Sequence, residues 1–343
     1  MTLLAAYKSH GMPVLVGDAV CGFEANDTFH PTSLRKKVYM ISSNLSVGWT
    51  GSVSSAEVVL TRLMNDFYGK EVSLKEFESL LTTIEFDNML EKNVKIVGWI
   101  IDEQPKSFIW QSGYSSELFF EDYYHEGTGE EFWRDIITSG LAHGGDGPRD
   151  GSKFSEEIGA VQETLTYCGE AFFREFTSST WHESFGFAYE VLVYAHGRFW
   201  PVGNTIYLGW EYIWNTSTQT GSPKLGPFVA KTNFREHYSV LQMASHKNLQ
   251  IERCRNYPIR PVYEHEIAET LTFGFDFFDA DFYVHYFWCG LPDKQAVLRI
   301  PYVCGKTQRG DKLWLRRENG KVKFEIDTSK FNQIFKEAMA LLK

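Results

Sequence analysis

Residues 2–18 read TLLAAYKSHGMPVLVGD, and this stretch decides how the rest of the chain is interpreted. Two apolar runs, 3–8 and 13–17, lie on either side of His10-Gly11. Apolar runs of this length around a glycine predict two strands that are joined by a tight turn. Asp18 follows the second run directly, so the second predicted strand ends in a carboxylate.

Residues 35–51, RKKVYMISSNLSVGWTG, form a second stretch with a similar organisation. Its apolar runs, 38–41 and 45–49, are separated by a Ser-Ser-Asn turn and predict another pair of strands. Lys37 directly precedes the first of these runs. The preceding Arg35-Lys36 completes a basic run, and we expect those two side chains to be solvated because charged side chains are rarely buried without a partner.

The composition of the 343 residues limits the class of protein. Hydrophobic residues make up 43% and charged residues 23%, which is typical of a soluble globular chain with one large domain or two ordinary ones. The net charge of −10 argues against a nucleic-acid partner. The chain has neither an apolar run long enough for a membrane span nor a signal-peptide pattern. Its five scattered cysteines indicate free thiols in a reducing compartment, so we expect a cytoplasmic protein.

The remaining periodicity predicts helices between pairs of strands. Apolar residues recur three and four positions apart over 56–67 and 74–84, which predicts two helices. Ser73 and Glu76 form the sequence pattern of a capping box at the start of the second helix. Further elements are predicted in this order: strands 94–101 and 107–110, helices 130–139 and 155–176, and strands 185–194 and 198–202.

This order of elements predicts an α+β protein, with a four-layer α-β-β-α sandwich over residues 1–210. Residues 211–343 differ, because aromatic and β-branched clusters alternate there with frequent turn signals. Asn319-Gly320 between two apolar runs predicts a hairpin. Apolar residues at helical spacing predict a final helix over 330–342. We therefore expect a β-rich C-terminal extension or subdomain that ends in a helix.

Thr2 has the most specific chemical potential of the residues in the first stretch. If Met1 is removed, Thr2 carries a hydroxyl and a free α-amine on the same Cα. A nucleophile beside its own base is the minimal catalytic unit of an N-terminal threonine hydrolase. If Met1 stays, the α-amine is lost as a base and the site is inactive.

The order and spacing of these features resemble the proteasome β-subunit family, including its bacterial ring-forming relatives. The shared features are Thr2, Asp18 sixteen positions later, R-K-K-V at 35–38, and V-G-W-T-G at 47–51 leading into a helix. The resemblance covers residues 2–67, can be followed to about residue 203, and does not include 211–343. It implies the sandwich fold of the N-terminal nucleophile (Ntn) hydrolases.

The resemblance implies a role for each matching residue of the catalytic centre. Thr2 would be the nucleophile through Oγ, with its own amine as general base. Lys37 would lower the pKa of that hydroxyl through its positive charge, and Asp18 would pair with Lys37 and hold it charged. The backbone N–H of Gly48 would donate to the oxyanion of the tetrahedral intermediate.

Four more residues receive roles from the same resemblance. Ser46 and Thr50 would flank the pocket for the substrate side chain. Thr128, within Gly-Thr-Gly, would replace the supporting serine of the family's G-S-G segment, although taken alone it is a helix-capping residue. The family's Asp-x-x-Ser-Gly segment has no clean match here, and the segment around Ser184 is the nearest.

Three functions remain open from the sequence. The chain could be a threonine-type hydrolase that cleaves amide bonds in peptides, an inactive scaffold of the same fold that retains Met1, or an amidase for small molecules. His182-Glu183 and His265-Glu266 lack zinc-binding spacing, so we expect no metal and no cofactor. The resemblance implies a peptide or amide substrate, a homo-oligomer and, if a chamber forms, an ATPase partner. We expect no nucleic-acid or membrane partner.

Overall fold

Both N-terminal strand pairs form as predicted, and they belong to two different sheets. The structure, a computed structural model, describes residues 2–19, 36–86, 93–112, 118–121, 123–127, 129–139, 144–145, 150–177, 186, 189–215, 217–218, 220–234, 239–244, 251–256, 280–290, 297–305, 313–318, 321–326 and 328–341. Three residues with predicted roles lie outside the described residues: Met1, Thr128 and Ser184.

The first sheet has five antiparallel strands. They are β1 (Leu4–Ser9), β2 (Met12–Asp18), β8 (Tyr124–Glu126), β10 (Tyr189–Ala195) and β11 (Arg198–Pro201). Their order in space is β11-β10-β2-β1-β8, so β1 and β2 are flanked on both sides. His10 and Gly11 form the turn between β1 and β2 with φ of 49° and 78°. A two-residue hairpin turn needs this left-handed backbone, which glycine adopts without strain.

The second sheet also has five antiparallel strands. They are β3 (Val38–Met40), β4 (Leu45–Gly51), β5 (Val94–Ile101), β6 (Pro105–Gln111) and β7 (Leu118–Glu121). Each strand pairs with the next one in the chain. The sequence does not predict β7 or β8, because such short strands contain too few positions for a pattern of alternating apolar residues.

Two helices, α1 (Val53–Phe67) and α2 (Leu74–Thr82), cover one face of the second sheet. The predicted capping box is present at the start of α2, because Ser73 Oγ accepts from the Glu76 amide (3.3 Å) and the Glu76 carboxylate accepts from the Ser73 amide (3.0 Å). Leu60, Phe77 and Trp49 belong to the core between these helices and the sheet.

Two more helices, α3 (Glu130–Thr138) and α4 (Lys153–Thr177), pack on one face of the first sheet. Gly129 is the N-terminal cap of α3, and no side chain caps this helix. The other face of the first sheet meets the second sheet, where Leu4 packs with Val97 and Trp99. The Trp99 indole N–H donates to a backbone carbonyl of β2 at 2.9 Å, which joins the two sheets directly.

The remaining elements form a third sheet, a separate strand pair and a helix. The third sheet consists of β9 (Gly144–Gly145), β12 (Thr205–Asn215), β13 (Thr220–Phe234), β14 (Ser239–Ala244), β15 (Ile251–Asn256), β16 (Phe282–Gly290) and β17 (Val297–Gly305). Their order is β15-β14-β13-β12-β16-β17-β9. The strand pair is β18 (Leu313–Glu318) with β19 (Lys321–Ile326), and the last helix is α5 (Thr328–Leu341).

The third sheet also packs against α4. Glu170 of α4 is fully buried there and pairs with Arg174 on its own helix and with Arg299 of β17. Burial raises the pKa of the Glu170 carboxyl, and the two arginines oppose that rise. At the opposite side of the sheet, Phe335 of α5 stacks on Tyr212 with ring centroids 4.0 Å apart.

The observed mixture of mainly antiparallel sheets and few helices agrees with the predicted α+β class. The hairpin strands around Asn319-Gly320 and the final helix also form as predicted. Two features of the third sheet are not predicted: the parallel pairing of β12 with β16, and the short strand β9 between α3 and α4. None of the helices in the described part of the chain combines the length and apolar character that crossing a bilayer requires.

Candidate active site

Asp18 lies beside the peptide that follows Thr2. The backbone N–H of Asp18 donates to the Leu3 carbonyl at 3.1 Å, and Asp18 Oδ1 accepts from the Leu3 N–H at 2.9 Å. This reciprocal pair of hydrogen bonds fixes the end of β2 against the start of β1. Thr2 is 2% exposed, and Asp18 has no exposed surface.

Lys37 completes the contact that the sequence predicted. Its Nζ lies 2.8 Å from Asp18 Oδ1, and neither side chain has any solvent exposure. Asp18 Oδ1 therefore accepts from both the Lys37 ammonium and the Leu3 amide. This single oxygen therefore bridges the Lys37 ammonium and the peptide bond between Thr2 and Leu3.

The second oxygen of Asp18 is also bound. Asp18 Oδ2 accepts from the Gly186 N–H at 2.9 Å. Gly186 has a φ of 115°, and a Cβ there would lie 2.2 Å from the Glu175 carboxylate, so this position requires glycine. The Tyr189 hydroxyl donates to Glu175. The Glu175 carboxylate therefore lies directly against Gly186, which donates to Asp18.

The surroundings of Asp18 have opposing effects on the pKa of its carboxyl group. Burial raises the pKa of the Asp18 carboxyl, whereas the Lys37 charge and the hydrogen bonds from Leu3 and Gly186 lower it. An isolated buried carboxylate would be strongly unfavourable, so the ionised pair depends on these three partners together. The site can hold one ammonium in a fixed position, across one carboxylate oxygen from the amide that follows Thr2.

Gly127 and Gly129 both lie against the Thr2 carbonyl. The Gly129 N–H donates to the Thr2 carbonyl at 3.2 Å. Gly127 has a φ of 95°, and a Cβ there would lie 1.9 Å from the Thr2 carbonyl oxygen. The close approach therefore excludes any side chain at Gly127. Thr128, to which the resemblance gives a supporting role, lies outside the described residues.

Gly48 lies within β4 and is paired with Val38 on one side and Val97 on the other. A Cβ at Gly48 would lie 2.7 Å from Leu4 Cδ2, and one at Gly17 would lie 2.9 Å from the same atom. The two glycines leave the space that Leu4 fills between the sheets. This packing accounts for the glycine at position 48, and its role as oxyanion donor stays a prediction.

Ser46 and Thr50 lie on the same face of β4 as Gly48, because alternate residues of a strand share a face. Ser46 has no solvent exposure and Thr50 is 9% exposed. Ser46 is paired with Trp99 of β5 in the interior between the sheets. The structure places Thr50 nearer to the end of the strand, and it does not bring Ser46 to an accessible surface.

Lys36 is buried, so the expectation that it is solvated is wrong. Its side chain is fully buried, and Nζ lies 3.5 Å from Oε1 of Glu190, which is 2% exposed. The same ammonium lies 3.6 Å from the centre of the Phe234 ring. A buried lysine is stable only with such compensation, and the sequence gives no signal of a partner so far along the chain.

Metal-binding groups do not assemble near this site. Among the described residues, no three His, Cys, Asp or Glu side chains come close enough together to hold a metal ion. Two cavities, of about 710 and 600 Å³, lie elsewhere, one against α1 and α2 and the other between α4, β10–β11 and the third sheet.

Comparison with known proteins gives a limited result. No protein-family model matches the chain, and no curated protein matches it. Among solved structures, the chain is similar to the Anbu (Gly-1) mutant from Hyphomicrobium sp. strain MC1, with 11% sequence identity and a TM-score of 0.40. The similarity covers 59% of this chain and 84% of that chain. At this level the comparison assigns no function.

Proposed function

We propose that this chain is a threonine-type Ntn hydrolase of the proteasome β-subunit kind, which cleaves amide bonds in peptides. The observation that carries the proposal is the position of the Lys37 ammonium. It shares Asp18 Oδ1 with the amide that follows Thr2, in a place with no solvent exposure. A fixed positive charge beside a potential nucleophile stabilises its alkoxide form.

The arrangement of the N-terminal sheets supports the same proposal. The helices α1 and α2 pack on the second sheet, the two sheets pack on each other, and α3 and α4 pack on the first sheet. We propose that residues 1–210 form an Ntn-type α-β-β-α sandwich on this basis, with 211–343 as a β-rich extension. The central hairpin of β1 and β2 then carries Thr2 and Asp18 at one end.

The proposed reaction begins once Met1 has been removed from Thr2. The α-amine of Thr2 accepts the hydroxyl proton, and Oγ attacks the carbonyl carbon of the amide bond. The tetrahedral intermediate collapses as the C–N bond breaks, and the leaving amine takes the proton from the α-ammonium. The acyl group is now held on Thr2 as an ester. Water, deprotonated by the same amine, attacks the ester carbonyl. The bond between the acyl carbon and Thr2 Oγ breaks, Oγ takes the proton back from the α-ammonium, and the acid is released.

The supporting residues act on charge and position in this scheme. Lys37 stabilises the negative charge that develops on Thr2 Oγ, and Asp18 holds Lys37 in place through its buried carboxylate. A backbone N–H such as that of Gly48 stabilises the oxyanion. Thr50 flanks the pocket for the substrate side chain, and Thr128 and Ser184 keep the supporting roles that the resemblance gives them.

The test is a matched pair of substitutions at Thr2. We expect Thr2→Ala to abolish cleavage of fluorogenic peptide amides, because it removes the nucleophile, and Thr2→Ser to retain part of the activity. Thr138→Ala is the control, because it removes a threonine hydroxyl from an exposed position of α3. Full activity in a Thr2→Ala variant would refute the role of Thr2 as the nucleophile.

Intact mass measured on the same preparations reports whether Met1 is removed. The mechanism requires a mass without methionine in the active parent protein. A protein that keeps Met1 and cleaves nothing would instead be the inactive scaffold. A panel of peptides and small amides then separates a peptidase from a small-molecule amidase.

Assembly and location complete the proposal. We propose a homo-oligomer and, if it encloses a chamber, an ATPase partner, both from the resemblance alone. We also propose a cytoplasmic location. The side chains of Cys168 and Cys289 are buried free thiols, which supports a reducing compartment.

A further inference from the structure

Glu190 binds the backbone of the lysine that the proposed mechanism depends on. Glu190 lies in β10, next to the residue that pairs with Asp18. Its Oε2 accepts from the backbone N–H of Lys37 at 3.0 Å and from that of Val38 at 3.1 Å. One buried carboxylate oxygen therefore fixes two consecutive amides at the point where β3 begins.

The backbone on either side of these amides is fixed as well. The Lys36 carbonyl accepts from the Trp49 indole N–H at 3.0 Å and from the Tyr39 hydroxyl at 3.1 Å. The Lys37 carbonyl accepts from the Trp49 backbone N–H at 3.2 Å. Two aromatic side chains thus bind the Lys36 carbonyl, and a strand hydrogen bond binds the Lys37 carbonyl. Glu190 binds the amides of Lys37 and Val38.

Lys36 balances the charge of Glu190. Its Nζ lies 3.5 Å from Glu190 Oε1 and packs against the Phe234 ring of β13, so the third sheet also closes over this pair. The two adjacent lysines have different partners: Lys36 pairs with Glu190, and Lys37 pairs with Asp18. Lys36 therefore does not duplicate the role proposed for Lys37.

We propose that Glu190 is a positioning residue for Lys37, with Lys36 as its counter-charge. By fixing the main chain of Lys37 and Val38, Glu190 sets the point from which the Lys37 side chain reaches Asp18. This inference rests on the proposed threonine hydrolase for its kinetic consequence. Both hydrogen bonds of Glu190 Oε2 go to main-chain amides, so Glu190 acts through the backbone in this role.

Two double variants separate the hydrogen bonds of Glu190 from its charge. Glu190→Gln/Lys36→Met removes both charges and keeps a side-chain oxygen that can accept from the two amides. Glu190→Ala/Lys36→Met also removes both charges and leaves those amides without the acceptor. We expect the Gln variant to keep kcat close to that of the parent. We expect the Ala variant to lose about 100-fold in kcat, as a displacement of roughly 1 Å at a catalytic group does, with KM unchanged.

A matched control addresses general loss of stability. Glu157 is 5% exposed and its carboxylate also accepts from a backbone N–H, that of His196 at 3.0 Å. It lies on α4 and contacts a turn remote from Lys37. We expect Glu157→Gln to leave kcat unchanged, which separates a specific effect on Lys37 from the cost of altering a buried glutamate.

A spectroscopic measurement keeps this test independent of the proposed reaction. The ¹⁵Nζ resonance of Lys37, assigned with a Lys37→Met variant, reports the contact with Asp18 whether or not Thr2 is a nucleophile. We expect it to shift in Glu190→Ala/Lys36→Met and to remain in place in Glu190→Gln/Lys36→Met. An unchanged resonance in the folded Ala variant, or equal kcat in both double variants, would overturn the positioning role. Failure of Thr2→Ala to affect turnover would remove only the kinetic part.

Discussion

Asp18 Oδ1 and Lys37 Nζ lie 2.8 Å apart, and neither side chain has any contact with solvent. A buried ion pair contributes little net stability, because desolvation of both charges offsets much of their attraction. The proposed function gives this pair a purpose that its small contribution to stability does not. The pair holds an ammonium beside the Thr2–Leu3 peptide, where solvent cannot screen its charge.

Substitution of one member of this pair tests that explanation. We expect Asp18→Asn to cost about 3–5 kcal/mol in the free energy of unfolding, because it leaves the Lys37 ammonium buried without a counter-charge. The double variant Asp18→Asn/Lys37→Met removes both charges and should recover most of that loss. Urea unfolding measures the stability, and peptide cleavage measures the activity.

Activity and stability should separate in that double variant. It should remain inactive although it is stable, because the charge that activates Thr2 is gone. A double variant that is as active as the parent protein would exclude Lys37 from the mechanism, whatever its stability.

Gly127 offers a second test, because it lies against Thr2. A Cβ at Gly127 would approach the Thr2 carbonyl oxygen to 1.9 Å, so Gly127→Ala must displace Thr2. Gly11 is the matched control, since it also has a positive φ but nothing within 4 Å of its Cβ position. We expect Gly11→Ala to cost about 1–2 kcal/mol through backbone strain and to stay active.

The Gly127→Ala variant should lose more stability than Gly11→Ala and should lose peptide cleavage as well. Thermal unfolding and turnover on the same preparations compare the two. Equal losses in both variants would mean that the contact between Gly127 and Thr2 does not support the site.

Substitutions at Gly48 and Leu4 distinguish a packing role of Gly48 from a catalytic role. Gly48→Ala inserts a methyl group 2.7 Å from Leu4 Cδ2 and should cost about 1–3 kcal/mol. Leu4→Ala leaves a cavity and should cost about 2–5 kcal/mol. In the double variant the new methyl group fills part of that cavity, so the two losses should not add.

The activity of the Gly48→Ala/Leu4→Ala variant shows what the glycine is for. Alanine keeps the backbone N–H that the oxyanion role requires, so we expect turnover to recover together with stability. Low turnover in a stable double variant would instead mean that a substrate must approach Gly48 closely.

The sequence predicts local features of this chain well and distant ones poorly. The capping box of Ser73 and Glu76 depends on residues three positions apart, and it forms as predicted. The contact of Lys37 with Asp18 was available only through a resemblance in order and spacing. Glu190 binds the Lys37 amide across 153 residues, and the Gly186 amide binds Asp18 across 168. No pattern along the chain encodes such contacts, because the sheet brings these residues together only after folding.

The burial of Lys36 shows the same limit in a single residue. A run of three basic residues normally indicates a solvated surface. Here the ammonium of Lys36 is buried against Glu190 and Phe234 instead. Those two partners come from different sheets. A charge run therefore cannot be assigned to the surface without knowledge of which acidic and aromatic residues lie opposite it.

His285 in the third sheet gives a prediction for the dependence of stability on pH. It is 2% exposed, and its Nδ1 accepts from the Trp210 indole N–H at 3.1 Å, which requires the neutral imidazole. Burial lowers the pKa of His285 to about 3. In the unfolded chain a histidine has a pKa of about 6.5. Below that pH the unfolded state therefore binds a proton that the folded state does not.

The contribution of His285 to stability is consequently present above about pH 6.5 and is lost as the pH falls toward about 3, at roughly 1.4 kcal/mol per pH unit. We expect His285→Gln and His285→Phe to reduce the slope of the unfolding free energy against pH by that amount. Gln can still accept from Trp210 and Phe cannot, so their absolute stabilities should differ while their slopes agree. Guanidinium unfolding followed by tryptophan fluorescence between about pH 4 and 7 measures both quantities. Parent-like slopes in both variants would mean that His285 is protonated in the folded protein as readily as in the unfolded chain.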